Sequence, residues 1–395
     1  MENNSDIEKL KTTVSGEVDA RRNELSELSL KIHATPELGF HEIKASAWLS
    51  QYLADNGFTV ERGICDLPTA FRASYGNGPP AIAVLAEYDA LPKLGHACGH
   101  NIIAACAAGA GVASRPTIDH FGGSILVIGT PAEEFGAGKA VMIERGVFDK
   151  IDIAMLVHPG SHDTVTTETL ACQPLLVEFF GRAAHAAARP ETGINALEAM
   201  IQSFTAINSL RQHIKSKARI HGIITDGGEA PNIVPAHSAA TFLVRAEDDA
   251  YLDYLKQRVL NCFIAAATAS GARLEYRWEN NRYAPLLNNL TLARLFKRNM
   301  QSIRRQVKLV NPGRSFGSTD MGNVSQQVPA IHPTVAIVNS TGTVHTPEFT
   351  LAAASESGLK GLLDAAGALA MTVTDLAANP ETVSKIKEEF QQNKC

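Results

Sequence analysis

The chain has 395 residues, 45% hydrophobic, 19% charged and 6% aromatic, with 36 Lys and Arg against 41 Asp and Glu for a net charge of −5. At roughly 100–200 residues per domain, this length predicts two domains, or one large domain carrying an insertion, and the apolar content excludes a disordered chain. No dense basic run offers the cations that a row of phosphates would need, which argues against nucleic acid as a partner.

The opening stretch MENNSDIEKLKTTVSGE mixes charged and polar residues without the apolar core that directs secretion, so a cytoplasmic protein is expected. The most apolar run, 101–113, is shorter than the about 20 residues that span a bilayer and reads as a buried helix. No membrane association is expected. Six cysteines, Cys65, Cys98, Cys106, Cys172, Cys262 and Cys395, lie far apart. Cytosolic thiols stay reduced, so a disulfide scaffold is not expected and any special cysteine should be metal-bound or reactive.

Residues 7–56 carry a helical pattern interrupted at Thr35-Pro36, because proline disfavours helix in the residue before it. Two helices are expected there. Ala81–Ala86 is a continuous apolar run followed by a turn-rich stretch and the helix at 101–113; the runs at 123–130 and 153–157 repeat the arrangement, with a helix at 138–145. Strand, loop and helix in repetition predict an α/β fold with a mostly parallel sheet flanked by helices. From Gln173 the texture changes to strand 175–180, helix 195–214, strand 220–225, strand 239–244, helix 251–269 and strand Arg273–Trp278. That order, βαββαβ, predicts a two-layer lid or dimerisation domain at 174–285, inserted into a catalytic domain made of 1–173 and 286–395. The α/β texture then resumes with helix 290–303, strand 334–338 and helix 351–372, and the polar tail from 380 to 395 is expected to fray.

Ligands of open parallel sheets sit beyond the carboxyl ends of the strands. Glu87-Tyr88-Asp89 and the loop His96-Ala97-Cys98-Gly99-His100 follow the first run, Glu133-Glu134 the second, His158 the third, and His345 the last. Thiol, imidazole and carboxylate from separate strand ends predict a divalent metal site. A single glycine between Cys98 and His100 lets both reach one centre. Glu133-Glu134 suits a division of labour, one carboxylate binding metal and its neighbour shuttling protons. The plainer readings are a buried hydrophobe for Cys98, hydrogen-bonded structural histidines, and a solvated acidic pair at a helix start.

The stretches LAEYDALPKLGHACGHNIIA, GTPAEEFGAGKAVMIERGVFD, LVHPG, GRAAHAAARP, GGEAPNIVPAHSAATFLVRA, STDMGNVS and TVHTPEF together resemble the aminoacylase/carboxypeptidase family of two-metal amidohydrolases. The likeness is closest to its branch of xaa-Arg dipeptidases and p-aminobenzoyl-glutamate hydrolase B subunits; plant auxin-conjugate hydrolases are more distant. It runs from about Pro36-Glu37-Leu38-Gly39 to the helix after Glu348. The resemblance implies that Cys98 bridges two divalent ions, that His100 and His158 hold one and Glu134 and His345 the other. Zinc or manganese would be the ions, with cobalt or nickel also compatible. It further implies Glu133 as general base, Asp89 as the carboxylate orienting a ligand, and His185 and Asn232 of the inserted domain at the substrate carbonyl, the histidine often coming from the partner of a homodimer. Asn101 stands where many relatives have Asp, and no ligand role falls to it. Arg282 and Arg314 are candidates for holding a substrate carboxylate, with surface ion pairing as the plainer reading.

The function expected is metal-dependent hydrolysis of an amide in a dipeptide or an N-acyl or aminobenzoyl amino acid. The rivals are a non-catalytic metal-binding scaffold and a hydrolase using Cys98 as nucleophile, whose thiol chemistry would survive chelation.

Overall fold

The structure, a computed structural model, describes residues 2–310 and 317–394. It divides into two compact units: Thr169–Pro285 with Gly317 and Ser318 form one, and the rest of the described chain the other.

The first unit is built on a six-stranded sheet whose order is Thr59–Arg62, Phe71–Asn77, Gly123–Gly129, Ala81–Ala86, Ile153–Met155 and Ala330–Ile331. The last four run parallel and the first two pair antiparallel at one edge. Gly123–Gly129 is buried throughout, as is nearly all of Ala81–Ala86, which is why both read as unbroken apolar runs rather than alternating ones. The helix His100–Ala113 is buried along its whole length. Its small residues answer to close neighbours: a Cβ at Gly111 would lie 2.3 Å from Val127 Cγ2, and one at Gly109 2.7 Å from Leu25 Cδ1. Glu356–Ala378 is long and apolar enough to cross a membrane, but 89% of its apolar window is buried inside the protein. It is a core helix.

Several expectations are corrected. Residues 7–56 hold three helices, Glu2–Ala20, Arg22–His33 and Ile43–Asp55. The extra break at Arg21 has no glycine or proline to mark it. Among the described residues of the late segment, only Ala330–Ile331 joins the main sheet; Thr334–Ala336 pairs with His158–Gly160 in a separate four-stranded sheet completed by Lys308–Val310 and Thr164–Thr166. The late helix is two, Pro347–Ala353 and Glu356–Ala378, because Ser355 caps the second through the Gly358 N–H at 3.2 Å. The tail does not fray. Pro380–Lys394 is a helix with Val383, Ile386 and Phe390 buried, an apolar stripe at helical spacing masked by a polar average. Glu389 also receives the Leu290 and Thr291 N–H groups at the start of helix Leu290–Ser302.

The second unit follows the βαββαβ order in an antiparallel sheet, Arg273–Trp278, Ala171–Phe180, His237–Ala246 and Arg219–Asp226. Leu175, Val177, Phe179, Ala240, Phe242 and Val244 alternate inward against helices Ala196–Arg211 and Asp249–Ser270. On the central strand's outward set His237 holds Asp226 through Nδ1 at 2.6 Å and Glu178 through Nε2 at 3.1 Å, tying three strands together. The hydrogen bond it donates to Asp226, then that to Glu178, raises the His237 pKa above 6.5. A group raised on folding stabilises fully below its unfolded pKa and loses that contribution as pH rises through the folded value. The stability difference between wild type and His237→Asn should therefore shrink as pH rises above about 6.5. Chemical denaturation at several pH values measures it; a difference independent of pH contradicts the assignment.

Candidate metal centre

The site grows from the carboxyl ends of the parallel strands. Ala81–Ala86 delivers Glu87 and Asp89, both buried, into a loop that returns through Cys98 to the first residue of the core helix, His100. Gly99 between them has φ +77°, and a Cβ there would lie 2.5 Å from Pro159 Cγ. Only glycine both adopts that left-handed backbone without strain and lets Pro159 approach. Asp89 grips two parts of the rim: Oδ1 receives His100 Nδ1 at 2.9 Å and Oδ2 the Glu134 N–H at 3.0 Å.

Glu133 and Glu134 begin a short turn of helix after Gly123–Gly129, between two alanines in left-handed conformation, Ala132 (φ 59°) and Ala137 (φ 46°). Non-glycine residues there are strained by about 1–3 kcal/mol each. The surroundings hold the first of them. The buried Glu42 accepts the Ala132 N–H at 2.8 Å and the Thr69 hydroxyl at 2.9 Å, and a Cβ at Gly39 would lie 2.8 Å from Ala132 Cβ. Burial, then the nearby Asp89, lifts the Glu42 pKa to about 7.

His158 opens the strand His158–Gly160. Its Nδ1 lies 2.6 Å from the Pro159 carbonyl oxygen, which can only accept, so Nδ1 carries the proton and Nε2 turns a lone pair toward Cys98 Sγ at 3.3 Å. His100 repeats the logic, its Nδ1 proton facing Asp89. His345, at φ 63°, is fixed by its N–H to the Ala97 carbonyl at 2.8 Å and brings Nε2 to 3.4 Å from Glu134 Oε1.

Donor atoms of Cys98, His100 and His158 thus lie within 4.8 Å of one another; so do those of Cys98, Glu134 and His345, and those of His100, Glu133 and Glu134. The residues fit a divalent ion on their own terms. Both His100 Nε2 and Glu134 Oε1 are buried without a hydrogen-bond partner among the described residues, a cost of about 1–3 kcal/mol each that a bound cation removes. Burial and then Glu134 push the Cys98 thiol well up, and burial with Glu87, Glu134 and Asp320 does the same to Glu133. Burial pulls the His100 pKa down, but Asp89 and Cys98 outweigh it and leave the net shift well upward. Burial is the larger cause for the thiol and for Glu133, and the neighbouring carboxylates add to it; for His100 the neighbouring anionic groups win.

Four nearby groups were not assigned from sequence. Lys139, fully buried, donates to Glu87 Oε1 and to Asp320 Oδ1, each at 2.6 Å, and its backbone N–H donates to Asp320 Oδ2 at 2.9 Å. Its ammonium stands amid the Glu87, Glu133 and Asp320 carboxylates, whose oxygens cluster within 4.8 Å. The fourth is His332, buried beside His158 with ring centroids 5.5 Å apart. Glu87 falls at the rim by its place after Ala81–Ala86, but the sequence gives it no separate role. Nothing in GAGKAV or PAIHP marks a buried ammonium or imidazole.

His185 and Asn232 lie on the second unit, both exposed and on adjoining loops: His185 bridges Ile233, and the Asn232 carbonyl accepts the Ala186 N–H at 3.0 Å. Asn101 is structural, its amide donating to Ser29 Oγ at 2.9 Å and the Ala353 carbonyl at 3.0 Å. Arg282 pairs with Asp249 at 2.6 Å and Asp253 at 2.8 Å, and Arg314 lies outside the described residues.

A helix-flanked parallel sheet whose rim gathers thiol, imidazole and carboxylate donors defines a metal-binding hydrolase of the α/β class. Residues 83–375 match the model of Peptidase family M20/M25/M40, and the chain belongs to that family, whose members hydrolyse amide or peptide bonds. It is 36% identical to Xaa-Arg dipeptidase of Mus musculus, over 98% of this chain and 93% of that one. It is 30% identical to the p-aminobenzoyl-glutamate hydrolase B subunit of Escherichia coli K12, over 95% and 93%. Its fold matches a Bacillus subtilis protein described as a dinuclear metal binding peptidase of the M20 family, with TM-score 0.68 at 19% identity, over 91% of this chain and 99% of that one.

Gly99→Ala should destabilise the protein by at least about 1–3 kcal/mol through positive-φ strain alone, before the Pro159 contact is added. Denaturant titration measures it, and unchanged stability would mean the Cys98–His100 spacing does not depend on this backbone.

Proposed function

We propose that this chain is a two-metal amidohydrolase that cleaves a dipeptide ending in a basic residue, or an N-acyl or aminobenzoyl amino acid. The observation that carries it is the sharing of Cys98 between two donor groups, with His100 and His158 on one side and Glu134 and His345 on the other. One thiolate common to both sets suits a pair of ions. Thiolate and imidazoles suit zinc, and the carboxylate admits manganese.

Bound ions would polarise the scissile carbonyl and lower the pKa of water toward about 7. Cys98, His100, His158, Glu134 and His345 would hold them, and Asp89 would orient His100 and the Glu134 backbone together. Glu133 would take the attacking water's proton on its carboxylate and return it to the leaving amine nitrogen, a transfer typically worth about 10²–10⁴-fold. His185 and Asn232 would meet the substrate carbonyl. The dimeric reading draws support from the edge strand Arg219–Asp226, where Ile223 is 67% exposed and Ile224 40%, since such an edge can pair with a twin.

Glu133→Gln should keep its metal and lose about 10²–10⁴-fold in kcat; metal analysis beside turnover tests this, and near-normal turnover removes Glu133 from the mechanism. Mixing inactive His185→Ala with inactive Glu133→Gln should restore part of the activity if a dimer shares its sites. No recovery under conditions of subunit exchange contradicts sharing.

A further inference from the structure

His332 has no role in the assignments above, yet it occupies the same rim. Ala330–Ile331 runs parallel beside Ile153–Met155, pairing Ala330 with Ala154 and Ile331 with Met155. The register continues past the strands, for the Leu156 N–H donates to the Ile331 carbonyl at 3.2 Å and the His158 N–H to the Pro333 carbonyl at 2.9 Å. Two histidines thereby leave adjacent strand ends side by side, their rings edge to face at 69°. The backbone of His332 is held further by the Thr167 hydroxyl, 3.2 Å from its carbonyl oxygen.

His332 is 6% exposed, and neither Nδ1 nor Nε2 of its ring has a hydrogen-bond partner among the described residues. A neutral imidazole carries one donor and one acceptor, and leaving either unmade in the interior costs about 1–3 kcal/mol. Packing alone would be served at less cost by leucine or phenylalanine. Nor does the ring belong to the ligand groups, none of which includes it among the described residues. Its ring lies against that of His158, one of the ligands proposed above, with centroids 5.5 Å apart.

We propose that His332 hydrogen-bonds the scissile carbonyl oxygen of the substrate, donating an N–H to it as negative charge builds there. This rests on the amidohydrolase reading above. A donor placed before the reaction favours the charged tetrahedral state over the planar amide, so its loss falls on kcat more than on KM.

The test uses the full-length, metal-loaded protein with alanyl-arginine as substrate and, as ligand, its phosphinate isostere, in which a tetrahedral phosphorus replaces the carbonyl carbon. His332→Leu should retain its metal content and melting temperature, lose about 10²-fold in kcat and bind the phosphinate more weakly by a similar factor, with KM altered less than about threefold. His332→Gln, which keeps a donor and an acceptor, should recover about tenfold of the loss, and it decides the matter together with His332→Phe if the leucine variant does not fold. Unchanged kcat and phosphinate affinity overturn the proposal. So does loss of metal with activity, which would assign the ring to support of His158. A wild type that neither binds metal nor cleaves amides would instead sink the function itself.

Discussion

The organising constraint of this molecule is buried negative charge. Glu87, Asp89, Glu133, Glu134, Asp320 and the Cys98 thiol gather where the parallel strands end, and the buried ammonium of Lys139 stands among them, paired with Glu87 and Asp320. Removing one partner of a buried ion pair typically costs about 3–5 kcal/mol, so such a cluster persists only when compensated. Lys139 answers two of its members. Cys98 and Glu134 face the imidazoles of His158 and His345, and a divalent cation is the group that satisfies thiolate, carboxylate and imidazole lone pairs at once.

The scaffold around them is correspondingly rigid. The carboxylates of Glu42 and Asp89 accept the backbone N–H groups of Ala132 and Glu134, so the turn bearing Glu133 is fixed at both residues that flank it. The buried helix beginning at His100 rests on small side chains that allow close approach, and its first residue is therefore located by the core. Precision at the rim comes from residues packed behind it.

Much of this was legible in the sequence, for definite reasons. Unbroken apolar runs at Ala81–Ala86 and 123–130 could only be strands buried on both faces, and chemistry-bearing residues directly after them had to share an edge. The change of texture at Gln173, into a succession of short strands and amphipathic helices, gave the βαββαβ order of the second unit. Other features left no local mark. Phe71–Asn77 pairs antiparallel with Gly123–Gly129 through contacts distant in sequence. The helix Pro380–Lys394 is held by three apolar residues among many charges. Lys139 reads as a surface lysine until Glu87 and Asp320, from far along the chain, close around it, and His332 acquires meaning only from the parallel register that sets it beside His158.

The central claim is that these side chains exist to hold cations. Metal analysis of the purified protein, with peptide and N-acyl amide hydrolysis followed before and after chelation, tests it most directly. The account requires two divalent ions per chain, activity lost with them and regained on their return. Turnover that persists in metal-free protein, as thiol catalysis at Cys98 would give, contradicts it.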